Sequence, residues 1–258
     1  MVPESPLPID SPDPAAAAAG SRLTELTDSL ARVRARIAAA CAAAGRAPDE
    51  VTLVAVTKTY PADDVLLLTR LGVADVGENR DQEAAAKAAA VAAEGARPRW
   101  HFVGRLQRNK CRSVVRYAEV VQSVDSVRLA VALDQAAAQV RDAPLDVLVQ
   151  VSIDDDPDRG GTLAGAADPD IGLGAVTAAV AGAPALRLAG LMAVAPRGWE
   201  PARAFDRLAG IAAAVRAEHP DAGVLSAGMS GDLEPAVAAG ATLVRVGSAL
   251  LGMRATLR

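Results

Sequence analysis

The stretch Val51-Thr-Leu-Val-Ala-Val-Thr-Lys58 decides the fold, because it is a short apolar run that ends on a charged residue. Such a run predicts a strand buried on both faces, as in the parallel sheet of an α/β protein. Strand and helix patterns then alternate along the rest of the chain. The eight candidate strands cover residues 51–56, 74–77, 100–104, 120–124, 145–153, 188–193, 224–227 and 243–246.

Eight strands separated by helices predict an α/β protein of the (β/α)8 TIM barrel type. An open, doubly wound sheet is the competing interpretation, and it is weakened because no GxGxxG follows the first strand. An extra helix is predicted over residues 21–44, where leucine, valine and isoleucine recur at helical spacing before Gly45. We therefore expect one barrel domain over residues 21–258, preceded by a disordered tail over residues 1–20, which is rich in proline and acidic residues.

The composition favours a small-molecule partner. The chain has 258 residues, half of them apolar, and a formal net charge of -4, without the basic surface typical of proteins that bind nucleic acid or anionic membranes. Two cysteines and two histidines, without metal-ligand spacing, predict neither a disulfide framework nor a metal site. No apolar run has the length of a membrane span, and no signal-peptide pattern is present, so we expect a cytoplasmic protein. We also expect it to be a monomer.

Lys58 is the first candidate for chemistry, because the carboxyl ends of barrel strands form the functional face. Desolvation above an apolar barrel would favour the neutral amine, which can attack an aldehyde. The alternative is a lysine whose stem packs on the rim while its ammonium group lies in water.

Two glycine-serine segments follow the last two strands. Ser226-Ala-Gly-Met-Ser-Gly-Asp and Leu243-Val-Arg-Val-Gly-Ser occupy the positions where barrels often bind phosphate. In the alternative interpretation Ser230 caps the next helix and the glycines only form turns.

Three further polar residues lie at strand ends. Arg245 interrupts an apolar strand and needs a partner, which could be an aromatic nitrogen or, in a structural salt bridge, the carboxylate of Asp75, Glu78 or Asp232. Asn79 could bind a ligand or shape a turn. His101 could act as an acid or base, although a lone histidine in an apolar strand is more often structural.

Several motifs, taken together, carry a family resemblance that covers nearly everything after the tail. They are Val54-Ala-Val-Thr-Lys-Thr, Gly77-Glu-Asn-Arg-Asp-Gln-Glu, Trp100-His-Phe-Val-Gly-Arg-Leu-Gln-Arg-Asn-Lys, Gly190-Leu-Met-Ala, Leu225-Ser-Ala-Gly-Met-Ser-Gly-Asp and Val244-Arg-Val-Gly. In their order and spacing they resemble the pyridoxal phosphate homeostasis proteins. The resemblance implies a fold-type III barrel like the N-terminal domain of alanine racemase, with pyridoxal 5'-phosphate as a Schiff base on Lys58.

The same resemblance implies a set of cofactor-binding residues and no catalytic or metal-binding ones. Arg245 would face the pyridine nitrogen, and Asn79 and Met229 would line the pocket. The phosphate would be held by Ser226, Ser230, Gly247 and Ser248. Two positions depart from the family pattern, since Arg159 stands where a lysine is expected before the glycine and Arg80 replaces an aromatic residue common among relatives.

The function that the resemblance implies is homeostasis of pyridoxal phosphate by storage, buffering or delivery to apo forms of the enzymes that use it. An amino-acid racemase or related enzyme is the alternative, but it needs a second domain and a facing tyrosine. The chain ends at Arg258 and offers only Tyr60 and Tyr117. A lysine-dependent aldolase without cofactor is a third possibility, which would leave the glycine-serine segments and Arg245 unexplained.

Overall fold

Eight parallel strands close into one barrel in the computed structural model, which describes residues 14–166 and 168–253. Each strand pairs with the next in sequence, and the first pairs with the last, with Val54 opposite Arg245. This closure confirms the TIM barrel and excludes the open sheet. The strands are β1 (Thr52–Val56), β2 (Asp75–Glu78), β3 (Arg99–Phe102), β4 (Val120–Val124), β5 (Leu145–Gln150), β6 (Leu186–Met192), β7 (Val224–Ser226) and β8 (Leu243–Val246).

Helices cover the outside of the barrel and bury their apolar faces against the strands. Short 3-10 helices lie at Pro48–Glu50, Arg108–Lys110 and Pro157–Arg159. The α-helices are α1 (Pro14–Ala43), α2 (Ala62–Arg70), α3 (Asp81–Ala93), α4 (Cys111–Val114), α5 (Val127–Ala137), α6 (Leu173–Ala181), α7 (Pro201–Glu218), α8 (Leu233–Ala238) and α9 (Ser248–Leu251).

The N-terminal helix is longer than the sequence pattern predicts. α1 begins at Pro14 rather than at residue 21, so the prediction of a disordered tail over residues 1–20 is wrong for its last seven residues. The alanines of residues 15–19 have the strongest intrinsic preference for helix, and proline is tolerated in a first turn. Residues 1–13 lie outside the described part of the chain.

Helix α1 packs across one side of the barrel. Its buried stripe of Leu26, Leu30, Val33 and Ile37 belongs to the apolar core that also includes side chains of β1, β8, α8 and α9. α1 therefore packs mainly against α8 and α9, the helices on either side of β8 in the chain. None of the described helices is long and apolar enough to cross a membrane.

Candidate functional site

The turn after β1 presents Lys58 at the carboxyl end of the barrel. Its side chain is exposed, and within the described residues its amine makes no hydrogen bond or ion pair. The desolvation expected from the sequence is therefore absent, because the turn carries Lys58 out of the barrel. The other two lysines differ, since Lys87 is buried in ion pairs and Lys110 lies 3.9 Å from a carboxylate oxygen of Asp81.

Both neighbours of Lys58 are held by hydrogen bonds. The Thr57 hydroxyl donates to Glu78 Oε1 over 2.6 Å, and the Thr59 amide donates to Glu83 Oε1 over 2.6 Å. Thr59 has φ of 68°, a conformation that is unfavourable for a β-branched residue and persists only when its surroundings enforce it. The turn that carries Lys58 is therefore fixed in place.

Lys87 on α3 joins these contacts into one cluster, which we name the Lys87 clamp (Thr57, Thr59, Glu78, Glu83 and Lys87). Its amine donates to Glu78 Oε1 at 2.6 Å, to Glu83 Oε1 at 3.1 Å and to the Thr57 carbonyl at 2.8 Å. Burial raises the pKa of the Glu78 carboxyl, against the opposing effect of hydrogen bonds from Lys87 and Thr57. The ammonium group thus connects the ends of β1 and β2 to the first turn of α3.

The two glycine-serine segments after β7 and β8 are joined to each other. Ser230 Oγ accepts a hydrogen bond from the Ala249 amide at 3.2 Å, while Asp232 occupies the N-cap position of α8. Ser230 therefore does not cap α8. The first segment turns at Gly228, where φ is +87° and a Cβ would lie 2.7 Å from the Ala236 Cβ. Met229 is exposed in this turn.

Gly247 and Ser248 follow β8 at the start of α9. Gly247 is partly buried and Ser248 is exposed. Asn79 follows β2 directly and is partly buried. The loop after β3 approaches Asn79 so closely that a Cβ on Gly104 would lie 2.1 Å from the Asn79 carbonyl oxygen. Only glycine fits there, so the backbone of this loop fixes the position of Asn79.

Arg245 is buried inside the barrel without a carboxylate partner among the described residues. Its guanidinium donates to Ser226 Oγ at 2.5 Å and to the Ala193 carbonyl at 2.8 Å. Burial lowers its pKa to about 10. The interpretation of Arg245 as one half of a structural salt bridge is therefore wrong.

A chain of hydrogen bonds leads from Arg245 through the barrel, and we name it the polar relay (Arg245, Ser226, Gln122, His101 and Asp75). The Ser226 hydroxyl donates to Gln122 Oε1 at 2.7 Å, Gln122 Nε2 lies 2.8 Å from His101 Nδ1, and His101 Nε2 lies 2.8 Å from Asp75 Oδ1. Because β5 and β6 separate β4 from β7, the bond between Gln122 and Ser226 crosses the barrel interior.

The arginine fixes the direction of every bond in the polar relay. A guanidinium can only donate, so Ser226 accepts from Arg245 and gives its own proton to Gln122. The Gln122 amide nitrogen then donates to His101 Nδ1, which leaves the proton of a neutral imidazole on Nε2, facing Asp75. The proton of the Ser226 hydroxyl is already used, and contact between this side chain and a phosphate stays a prediction.

Known proteins resemble this chain over most of its length. Residues 28–255 match the family described as the N-terminal domain of alanine racemase. The pyridoxal phosphate homeostasis protein of Mycobacterium leprae is 46% identical over 248 residues, which cover 90% of this chain and 94% of that protein. The chain belongs to the pyridoxal phosphate homeostasis protein family. The protein of this name from Escherichia coli K12 is 38% identical over 237 residues, covering 90% of this chain and 98% of that protein.

One similar solved structure carries the cofactor. The structure of PipY from Synechococcus elongatus with PLP bound matches this chain with a TM-score of 0.73 and 31% identity, covering 88% of this chain and all of that one. The side chains here fit such a group. Lys58 offers an exposed amine, and the joined glycine-serine segments offer amides and hydroxyls. Arg245 has N–H groups beyond those that donate to Ser226 and to the Ala193 carbonyl.

Sequence reasoning missed two positioning residues, Gln122 and Lys87. Gln122 is the one amide side chain in the apolar strand Val120-Val-Gln-Ser-Val124, and a polar residue buried there needs a partner. Lys87 follows Glu83 by four residues on α3, the spacing of a helical ion pair. Both signals are present in the sequence of this homeostasis-family protein. Neither signal identifies the residue, distant in the chain, to which Gln122 or Lys87 is bonded.

Protonation of His101 should make the barrel sensitive to mild acid. Burial lowers the pKa of His101, although Asp75 opposes the shift. As the pH falls through the ordinary value of 6.5, the unfolded chain binds a proton that the folded chain does not, so stability falls with pH. We expect urea unfolding to show about 1 kcal/mol less stability at pH 5.5 than at pH 7.5 from this group.

His101→Gln is the matched variant, and its stability should change less between the two pH values than that of the wild type. The carboxylates of Asp75 and Asp146 and the guanidinium of Arg99 also act on His101. The lowered pKa of Asp75 places its own effect at more acidic pH. An equal loss in both proteins would contradict the assignment to His101.

Proposed function

We propose that this protein holds pyridoxal 5'-phosphate as a Schiff base on Lys58 and stores, buffers or delivers it. The observation that carries the proposal is the state of the three lysines. Among the described residues, Lys58 is the one lysine that combines an exposed amine without a hydrogen bond or ion pair and a turn fixed on both sides by the Lys87 clamp. The cofactor supplies a reactive aldehyde, and the chain supplies a positioned amine.

Arg245 is proposed to face the pyridine nitrogen. Even with its pKa lowered to about 10, the guanidinium stays charged near neutral pH and can only donate, so the ring nitrogen it meets carries no proton. An unprotonated ring is a weak electron sink, which suits storage better than amino-acid chemistry. Ser226 supports this arrangement, because it accepts a hydrogen bond from Arg245 at 2.5 Å.

The phosphate is proposed to lie at the joined segments after β7 and β8. Ser230, Gly247 and Ser248 would supply hydroxyl and amide donors. Ser226 stays in the proposed set, but its hydroxyl proton is donated to Gln122, so this hydroxyl would not donate to the phosphate. Met229 and Asn79 would line the pocket, since Met229 is exposed in the turn after β7 and the approach of Gly104 holds Asn79 in place.

A carrier is favoured over a racemase by the two tyrosines of the chain. The Tyr60 hydroxyl donates to the Gly252 carbonyl at 2.6 Å, and burial raises the pKa of Tyr117, whose hydroxyl lies 3.4 Å from Asp81. Neither is placed as a free second base. We propose that the protein acts in the cytoplasm as a monomer and transfers the cofactor to apo forms of the enzymes that use it.

Borohydride trapping tests the proposal. The protein is mixed with pyridoxal phosphate, its visible spectrum is recorded, and the mixture is reduced and digested for peptide mapping. We expect a visible band in the wild type and in Lys110→Ala, the exposed-lysine control, with the label on Lys58. Lys58→Ala should show neither band nor label.

Two results would count against parts of this proposal. A wild type without a band, or with its label on Lys110, would overturn the cofactor site. Turnover of an amino acid that disappears in Lys58→Ala would keep the site and overturn the carrier function.

A further inference from the structure

A second concave surface lies beside the proposed cofactor site, at the carboxyl ends of β2, β3 and β4. The cavity measures about 980 Å3, within the range of small-molecule sites, and we name it the arginine cleft. Its basic side chains are Arg80, Arg105, Arg108, Lys110 and Arg128.

Three of these cations make no direct side-chain contact with a carboxylate. Within the part of the chain that the structure describes, the side chains of Arg80, Arg105 and Arg108 make no hydrogen bond or ion pair, although their charges act at longer range on Glu83, Asp125 and Asp170. Arg128 is paired with Asp170 at 2.7 Å, and Lys110 lies 3.9 Å from Asp81. The three unpaired guanidiniums are the groups available to a ligand.

The acidic groups of the arginine cleft do not neutralise it. Its lining contains two carboxylates, Asp81 and Asp125, against the five basic residues. The Asp125 side chain accepts a hydrogen bond from Ser126, and burial raises the pKa of Asp125 against the opposing effects of Ser126 and Arg105. A chain with a net charge of -4 thus concentrates unpaired positive charge in one cavity.

The end of a helix adds to this charge. α3 has 13 residues and begins in the cleft, where its N-cap residue Arg80 makes no side-chain cap. The positive end of a helix dipole favours anions. The guanidinium fork matches the geometry of phosphate and carboxylate oxygens.

The lining also indicates what kind of molecule fits. Its one aromatic side chain, Phe102, is buried, so no exposed ring is available for a base to stack on. We propose that the arginine cleft binds a small hydrophilic molecule that carries at least two phosphate or carboxylate groups.

This site is distinct from the proposed cofactor site as a whole. The two share only Asn79, because the segments after β7 and β8 do not line the cleft. The inference therefore stands independently of the proposed function, and a ligand here would lie next to the cofactor.

Calorimetric titration of the full chain with inorganic pyrophosphate, and separately with citrate, tests the proposal and distinguishes phosphate from carboxylate ligands. The titrations are run at 0.15 M salt, where loose surface attraction is screened. We expect saturable binding of at least one probe, and at least tenfold weaker binding in Arg105→Gln/Arg108→Gln. Arg216→Gln, an exposed arginine on α7, is the control and should bind as the wild type does.

The remaining outcomes would overturn the proposal. Failure of both probes to saturate the wild type is one such outcome. Another is a double variant that binds as well as the wild type, which would point to a different site, such as Ser230 and its neighbours. Equal weakening in Arg216→Gln would show attraction to overall charge. Thermal unfolding of each variant verifies the fold. We expect it unchanged, because the side chains of Arg105 and Arg108 are exposed and make no hydrogen bond or ion pair among the described residues.

Discussion

Lys87→Met is expected to lower the free energy of unfolding by about 3–5 kcal/mol, because it breaks a buried ion pair by removing one partner. The Lys87 and Glu78 side chains are 5% and 0% exposed. Glu78 Oε2 has no hydrogen-bond partner among the described residues, so without Lys87 the carboxylate would keep only the Thr57 hydroxyl. Urea unfolding at pH 7.5 measures the change.

Two further variants separate the ion pair from the loss of a lysine. Lys110→Met removes an exposed lysine and should change stability by no more than about 0.5 kcal/mol. Glu78→Gln combined with Lys87→Met removes both charges and should be more stable than Lys87→Met alone. A double variant as unstable as Lys87→Met would refute the explanation by an unpaired charge.

The same substitution tests the link between the Lys87 clamp and Lys58. Loss of the Lys87 amine leaves the Thr57 carbonyl with only the hydrogen bond from the Tyr60 amide. It also removes one hydrogen bond to Glu83, whose carboxylate holds the strained Thr59. If Lys58 carries the cofactor, it should react with pyridoxal phosphate more slowly in Lys87→Met than in the wild type. Borohydride trapping at successive times measures this rate, under conditions where Lys87→Met is still folded.

The architecture was predictable because each strand is a local pattern. Runs such as Val120 to Val124 are short, apolar and separated by helical segments, and the eight of them predict a closed barrel. The ends of elements were predicted less accurately, since α1 begins at Pro14 rather than at residue 21. Propensity indicates which structure forms, while tertiary contacts decide where it ends.

The candidate site was only partly predictable. Lys58 and the segments after β7 and β8 can be located by position, since they follow strands in chain order. The partner of Arg245 could not be predicted from position. The sequence offered three carboxylates as candidates, whereas the structure uses the Ser226 hydroxyl and the Ala193 carbonyl. Such pairings depend on which strands face each other across the barrel, and no local pattern contains that information.

Gln122→Leu is expected to break the polar relay at its centre and to cost about 2–6 kcal/mol of stability. The substitution leaves His101 Nδ1 without a donor and the proton of the Ser226 hydroxyl without an acceptor, and each buried group left unsatisfied costs about 1–3 kcal/mol. Gln139→Leu on the exposed surface is the control and should change stability by about 0.5 kcal/mol or less.

A double-mutant cycle with Ser226→Ala separates the polar relay from a simple packing defect. If Gln122 and Ser226 act through their 2.7 Å hydrogen bond, the double variant should lose less stability than the two single variants added together. Strictly additive losses would contradict the polar relay. Because Ser226 also accepts from Arg245, both single variants should bind pyridoxal phosphate about tenfold more weakly if the guanidinium faces the ring, a loss of about 1.4 kcal/mol. The relay would then link stability in the barrel interior to recognition at its open end.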